Sequence, residues 1–278
     1  MRPDLAVRPK KSFGQHFLVQ ASAIRTIVDA ARLSPATALL EIGPGPGVLT
    51  EPLLADGRPL HAVELDPEAC AHLTSAFADQ PHFHLHPGDA VTLPLPQADC
   101  WSVVGNLPYN VSTAILARFL LEPIPWERLV FMFQLEVAQK ILGQPGEKAY
   151  GPLAVLSRAC CRLSRLVKLG PGAFRPAPKV DSAVVLFEPL PGAPDLRTRR
   201  KLRRLLFRSF AHRRKTLLNN WQGWVPEGLG ASILAAEGLD LRVRAEAVKV
   251  ESWLRILQRL EESDPAILEG HDDDASDF

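Results

Sequence analysis

Apolar positions in this chain fall into short runs separated by glycine and proline, and the runs alternate between two periods. Residues 20–33 carry apolar side chains at helical spacing. Ala38-Leu39-Leu40-Glu41-Ile42 then reads as a buried strand ending at glycines. Val48 to Ala55 reads as helix, Leu60 to Glu64 as strand, Pro67 to Phe77 as helix, and His82 to His86 alternates as a strand. Cys100 to Val104 is a further strand, Ser112 to Leu121 a helix, and Leu129 to Phe133 an apolar extended run. Glu136 to Leu142 and Pro152 to Cys161 read as helices, and Arg165 to Leu169 and Val180 to Phe187 as two closing strands. Too little chain separates the last two for a helical crossover, which leaves an antiparallel placement open. Strands alternating with helices predict an α/β fold with a mostly parallel sheet covered on both faces. Pro189-Leu-Pro-Gly-Ala-Pro194 breaks the pattern, and beyond it the chain reads as helical to about Leu260. The expected organisation is an α/β domain over 1–190, a small all-α domain over 191–260, and a disordered acidic tail over 261–278.

Composition narrows the class. Hydrophobic residues make up 46% and charged residues 23%, which excludes a globally disordered or fibrous protein. The length of 278 residues suits two domains. No apolar run approaches the ~18–20 residues of a membrane span, so no membrane partner is expected. Met1 to Lys10 lacks a signal-peptide stretch. Cys70, Cys100, Cys160 and Cys161 form no CxxC pair, which predicts reduced thiols and a cytoplasmic location. The histidines, including His61, His82, His84, His86 and His271, have no ligand spacing with cysteines or carboxylates, so no metal is expected.

Charge changes the picture more. The formal total is +1, from 32 Lys and Arg against 31 Asp and Glu. Yet Arg197 to Lys215 is rich in Lys and Arg and holds no acid, while the stretch from Glu261 holds acids and no base. The basic segment also places Leu202, Leu205, Leu206 and Phe210 at helical spacing. That predicts a helix docked on a core with Arg203, Arg204, Arg208, Arg213, Arg214 and Lys215 as candidate phosphate contacts, the alternative being a solvated charged face.

Three strand ends carry the candidate chemistry. Glu41-Ile-Gly43-Pro-Gly45-Pro-Gly47 follows a strand and opens a helix, the architecture of a nucleotide-type cofactor site. Val48 stands where a dinucleotide fingerprint wants Gly or Ala, which disfavours NAD. Glu64 ends the next strand, where a carboxylate accepts from ribose hydroxyls, and Asp89 follows the third, placed to accept from an adenine amine. A ligand offering ribose and adenine without pyrophosphate fits S-adenosylmethionine. Asn106-Leu-Pro-Tyr109 then follows a fourth strand. The Asn106 amide oxygen and the Leu107 carbonyl are acceptors, Pro108 fixes the turn, and Tyr109 supplies a ring. Such a turn suits the exocyclic amine of a planar base pulled from its helix.

Taken in order, Lys10-Lys-Ser-Phe-Gly-Gln-His-Phe-Leu18, Glu41–Thr50, Glu64-Leu-Asp66, Gly88-Asp89, Asn106-Leu-Pro-Tyr-Asn110 and Phe174-Arg-Pro-Ala-Pro-Lys-Val-Asp-Ser182 resemble the ribosomal RNA adenine N6-dimethyltransferases. The branch most resembled is the bacterial one that acts on 16S RNA and is linked to kasugamycin sensitivity. The resemblance spans about residues 10–260. It implies a Rossmann-like class I methyltransferase sheet with an antiparallel last strand and a helical C-terminal domain. It implies transfer of two methyls from S-adenosylmethionine, leaving S-adenosylhomocysteine, to each of two adjacent adenines in a hairpin loop near the 3′ end of 16S rRNA. The partner is then the small subunit or its late precursor, met by a monomer. By position, His16 and Leu18 would border the methionine end of the cofactor, Gly43 and Gly45 would lie against it, Glu64 would hold its ribose and Asp89 its adenine. Asn106 would reach cofactor and target amine, with Pro108 shaping the turn, and Tyr109 and Phe174 would sandwich the flipped base. His16 stands where the family usually has Asn, and Ala177 replaces a Pro. Two other readings share these motifs: the sister class that methylates 23S rRNA, and an RNA-binding assembly factor without turnover. The Asn106–Tyr109 turn argues against the second.

Overall fold

The computed structural model describes residues 15–32 and 38–269. Expectations for Lys10 to Gly14 and for 270–278 lie outside the described residues. In chain order the elements are β1 (Phe17–Leu18), α1 (Ala21–Ala31), β2 (Ala38–Ile42), α2 (Thr50–Leu54), β3 (Leu60–Glu64), α3 (Pro67–Ala76), β4 (Phe83–Pro87), β5 (Trp101–Asn106), α4 (Ser112–Leu121), β6 (Trp126–Gln134), α5 (Leu135–Leu142), α6 (Pro152–Cys160), β7 (Cys161–Leu169), β8 (Phe174–Arg175), β9 (Ser182–Pro189), α7 (Leu196–Phe210), α8 (Leu217–Trp221), α9 (Leu229–Ala236) and α10 (Val250–Ser263).

Seven strands form one sheet in the order β4-β3-β2-β5-β6-β9-β7. β2 pairs in parallel with β3 and with β5, β3 with β4, and β5 with β6. β9 runs antiparallel to β6, with Phe131 opposite Val185. The continuous apolar reading of the strands has its cause here, because both faces are covered. Along β6, Val130 and Met132 join a cluster that includes Ala23, Ile27 and Val28 of α1 and Val184 of β9. Phe131 alternates with them and meets Phe119 of α4, ring centroids 5.7 Å apart. Asp66 caps α3, accepting from Glu68 N at 3.0 Å, with Pro67 in the first turn. One pairing was not expected. β1 and β8 form a two-stranded antiparallel sheet, Phe17 opposite Arg175 and Leu18 opposite Phe174.

The chain separates into two compact units. The first takes the described residues up to 119 with 124–138 and 163–188; the second takes 120–123, 139–162 and the described residues from 189 on. The second therefore resumes at the proline-rich breaker, but it also claims α6 and the segment before it, which a boundary at 190 does not foresee. The reason is a distant contact. Tyr150 is fully buried, its hydroxyl donates to Val248 O at 2.8 Å, and its ring meets that of Phe210 edge-on. Within this unit α7 buries Leu202, Leu205, Leu206 and Phe210, the stripe expected of it. Trp221 Nε1 donates to Ser209 Oγ of α7 at 2.9 Å. The expected start of a disordered tail is corrected: α10 continues through Ser263, and a 3-10 turn spans Pro265–Leu268. Glu261 forms an ion pair with buried Lys201, and Leu268 is 1% exposed, so packing holds this acidic stretch in place. Among the described residues no helix is long and apolar enough to cross a membrane.

Candidate active site

β2, β3, β4 and β5 are parallel, so their carboxyl ends lie along one sheet edge, where ligands of open α/β sheets bind. The glycine loop leaves β2 with Gly43 at φ +66° and Gly45 at φ +56°, conformations that L side chains rarely adopt. A Cβ at Gly45 would stand 2.8 Å from the Phe17 ring, whereas one at Gly43 would meet nothing closer than 4.0 Å. Gly45 is thus demanded by packing as well as by φ, whereas at Gly43 a Cβ would make only ordinary contacts, with Asn106 O and Pro108 Cδ at 4.0 Å, and φ alone makes the demand.

Glu64 closes the loop from the next strand. Its Oε2 accepts from Gly45 N at 2.9 Å and its Oε1 from Asp66 N at 2.8 Å. Burial pushes its pKa up, and the backbone donors of Asp66, Gly45 and Leu65 oppose that rise. Its donors are neutral amides, so each oxygen keeps a lone pair for a ligand hydroxyl. Beneath the loop, Glu41 is 1% exposed and accepts from Thr50 Oγ1 at 2.7 Å. Burial raises its pKa to about 8 against that hydrogen bond, with the Glu64 charge adding to the rise. Asp89 follows β4, and its Oδ1 accepts from Val91 N at 2.9 Å.

Asn106 ends β5, and its Nδ2 donates to His16 O at 2.9 Å. With the donor end engaged, Oδ1 is the end available to an incoming N–H. Leu107 is buried. The Tyr109 hydroxyl shares a 2.8 Å hydrogen bond with Ser182 Oγ at the start of β9. Burial raises the Tyr109 pKa, and the Ser182 bond opposes the rise. His16 arrives here through the β1–β8 pairing. Its Nδ1 lies 2.9 Å from Pro176 O, and its ring is stacked with Tyr109, centroids 5.8 Å apart.

These residues share one partly open cleft with a cavity volume of about 120 Å³. His16, Gly43, Gly45, Glu64, Asp89, Asn106, Pro108 and Tyr109 all line it. Leu107, whose carbonyl the sequence offers as an acceptor, also lines it, and so do Gln15, Phe17, Leu65, Asn110 and Val111, to which no role was given. The signal for Gln15 and Phe17 lay within the Gly-Gln-His-Phe-Leu run itself. Two expectations are corrected. Leu18 is 2% exposed and Phe174 fully buried, and both belong to the core cluster with Ile27, Met132 and Val184 rather than to the cleft. Their cross-strand pairing turns both side chains into that cluster, so Phe174 presents no free ring face.

The basic segment of the second unit divides. Arg199 donates to Pro194 O and Leu120 O, Arg200 to Leu121 O, and Arg204 to Leu268 O. Arg213 pairs with Glu246 at 2.9 Å, and the Arg203 guanidinium lies 5.1 Å from the Phe207 ring centroid. Arg208, Arg214 and Lys215 are exposed, with no acidic partner among the described residues. Arg242 and Arg244 are also exposed, on a segment tied to α8 through Leu217 N to Val243 O at 2.9 Å. Sequence spacing alone gave no reason to join them to the basic run.

A parallel sheet with a glycine loop, two strand-end carboxylates and an Asn-x-Pro-Tyr turn in one cleft defines a Rossmann-like enzyme for a nucleotide-type ligand. The chain belongs to the ribosomal RNA adenine dimethylase family, whose model matches residues 6–262. It is 40% identical over 265 residues to ribosomal RNA small subunit methyltransferase A of Synechococcus sp. (strain JA-3-3Ab), covering 92% of this chain and 95% of that relative. The protein of the same name from Pseudomonas syringae pv. tomato is 39% identical, at 92% and 96% coverage. Among solved structures, a dimethyladenosine transferase from Plasmodium falciparum shares the fold with a TM-score of 0.77 at 21% identity, over 89% of this chain and 98% of that one. The 23S rRNA methyltransferase ErmE is similar with a TM-score of 0.70 at 26% identity, over 88% and 99%. The Rossmann-like fold and the enzyme class expected from the sequence, an adenine dimethyltransferase of ribosomal RNA, both hold.

Proposed function

We propose that this protein dimethylates the N6 amines of two adjacent adenines in the 3′-terminal hairpin loop of 16S rRNA, on a late small-subunit precursor, with S-adenosylmethionine as donor. One observation carries the reading: Asn106 Nδ2 is held by His16 O at 2.9 Å in the cleft that also contains Gly43, Glu64 and Asp89. The residues fit the donor. Gly43 lines the cleft without a side chain and so lets its thioether end approach the backbone, Glu64 has acceptor capacity for ribose hydroxyls, and Asp89 for an adenine amine. When bound, the donor supplies an electrophilic methyl group on a sulfonium.

This chain's own residues do the rest. The amine of adenine is a poor nucleophile because its lone pair is delocalised into the ring. Asn106 Oδ1 and the Leu107 carbonyl accept its two hydrogens, which favours a pyramidal nitrogen and aims the lone pair. Pro108 holds the turn and Tyr109 stacks on the base. Alignment of this kind supplies much of the rate, and no strong base is needed. Arg208, Arg214 and Lys215, with Arg242 and Arg244 beside them, contact phosphate and give affinity rather than sequence choice. The protein acts as a cytoplasmic monomer. The names of the relatives at 38–40% identity favour the small subunit over 23S rRNA. The test is methyl transfer from labelled donor to undermethylated small subunits, with nucleoside analysis and primer extension. Dimethyladenosine at two adjacent positions near the 3′ end of 16S RNA is expected; label confined to 23S RNA, or none, would overturn the reading.

A further inference from the structure

The adenine end of the cleft depends on a turn that the sheet holds from one side only. β4 is the outermost strand of the sheet, and Asp89 follows it. Inward, the turn is tied to β3, where Gly88 N donates to Glu64 O at 2.8 Å. Within the turn, Asp89 Oδ1 accepts from Val91 N at 2.9 Å, and Asp89 O accepts from Leu93 N at 2.7 Å. These bonds fix the shape of the turn, but a shape fixed from within can still swing about one attachment. A further anchor comes from α4. Arg118 Nη1 donates to Ala90 O at 2.7 Å, across 28 residues of chain. The donor is charged, which strengthens such a bond. The sequence places the guanidinium there: Ile115, Leu116, Phe119 and Leu120 are buried, and Arg118 is half-buried at the margin of that face. α4 also starts at the acceptor end of the cleft. Ile115 N donates to Val111 O at 2.9 Å and Ser112 Oγ to Tyr109 O at 3.2 Å, so the helix grows directly out of the Asn106–Tyr109 turn. Val111 lines the cleft, and Arg118 follows it on the same helical face, a rise of about 10 Å further on.

We propose that Arg118 is a positioning residue for the adenine of the methyl donor. It holds the Asp89 turn at Ala90 O, and so sets the carboxylate that accepts from the adenine amine in register with the acceptor turn at the other end of α4. Arg118 does not itself line the cleft, so it acts through the backbone of Ala90. The inference rests on the donor-binding reading of the cleft and deepens it.

The test is calorimetric binding of S-adenosylhomocysteine and of its analogue with purine in place of adenine, which lacks the exocyclic amine. Wild type prefers the adenine form. Arg118→Met keeps the stem and removes the donors; it weakens the adenine form roughly 3- to 10-fold, the worth of one hydrogen bond, and leaves the purine form within about twofold. On an Asp89→Ala background, Arg118→Met adds less than about twofold to the loss, because both changes remove the same contact. Without ligand, the amides of Val91 and Leu93 exchange faster in Arg118→Met, while those of β2 and β5 do not. Arg118→Lys keeps a charged donor and recovers part of the preference, and it carries the comparison should the Met variant not fold. Equal weakening of both ligands, losses that add to those of Asp89→Ala, or unchanged binding overturns the assignment. Failure of wild type to bind S-adenosylhomocysteine, or to prefer it over the purine form, overturns the donor-binding reading instead.

Discussion

The carboxylates at the strand ends of the first unit and the guanidinium groups of the second are committed in opposite ways. Glu64 and Asp89 are met by backbone N–H groups, from Gly45, Asp66 and Val91. Such donors orient a carboxylate and leave lone pairs for a ligand. The arginines of α7 are largely engaged by the protein itself: Arg199, Arg200 and Arg204 complete carbonyls at Leu120, Leu121, Pro194 and Leu268, and Lys201 pairs with Glu261. A dense run of like charge is therefore mostly architecture, and a few isolated acids are mostly site. What separates the two is the set of partners, not the density of charge.

The largest expected effect lies in the first unit. Asn106→Ala should cut methyl transfer by about 10²–10³-fold, the scale for losing one hydrogen bond aimed at the reacting group, while donor affinity changes far less. Single-turnover transfer beside equilibrium binding separates the two, and near-wild-type turnover would remove the role given to Asn106. Next in size is the glycine loop. Gly45→Ala puts a side chain at φ +56° and a Cβ 2.8 Å from Phe17, so donor binding should fall at least tenfold and stability by about 1–2 kcal/mol. Calorimetric titration and urea midpoints check both, and unchanged binding would mean the loop is no cradle.

A pH dependence follows from Glu41. Its carboxyl keeps its proton to about pH 8 when folded, against an ordinary value of 4.5. The unfolded chain therefore ionises first, and stability falls as pH rises from about 4.5 to 8, by roughly 1.4 kcal/mol per pH unit at most, then levels off. Glu41→Gln should lose this slope and gain on wild type as pH rises; parallel urea midpoints at pH 5 and 7.5 would contradict it. The smallest effects sharpen the comparison within the basic segment. Changing Arg208, Arg214 and Lys215 together to Glu should weaken subunit binding and flatten its dependence on log salt by about two to three units, given 0.7–0.9 per phosphate contact. Arg204→Ala should lower the melting temperature and leave the salt slope alone. A slope altered by Arg204→Ala but not by the triple change would place the RNA surface elsewhere.

Much of the fold was legible because parallel strands buried on both faces read as continuous apolar runs, and α4 begins and ends where its spacing predicts. The cleft was legible for a related reason: Glu64 and Asn106 end strands, Gly43 and Asp89 follow them, and parallel pairing alone brings strand ends together. What escaped were contacts without local period. β1 and β8 have two residues each, too few to alternate, so neither their pairing nor the burial of Leu18 and Phe174 could be read. Tyr150 meets Val248, and Arg204 meets Leu268, across long stretches of chain, which hid both the allegiance of 139–162 and the engagement of the arginines.

A crystal structure with S-adenosylhomocysteine tests the central claim most directly. The ribose should lie at Glu64, the adenine at Asp89, and the sulfur should face Asn106 Oδ1 beside Tyr109. A ligand bound away from these strand ends, or an Asn106 amide turned from the sulfur, would contradict the account.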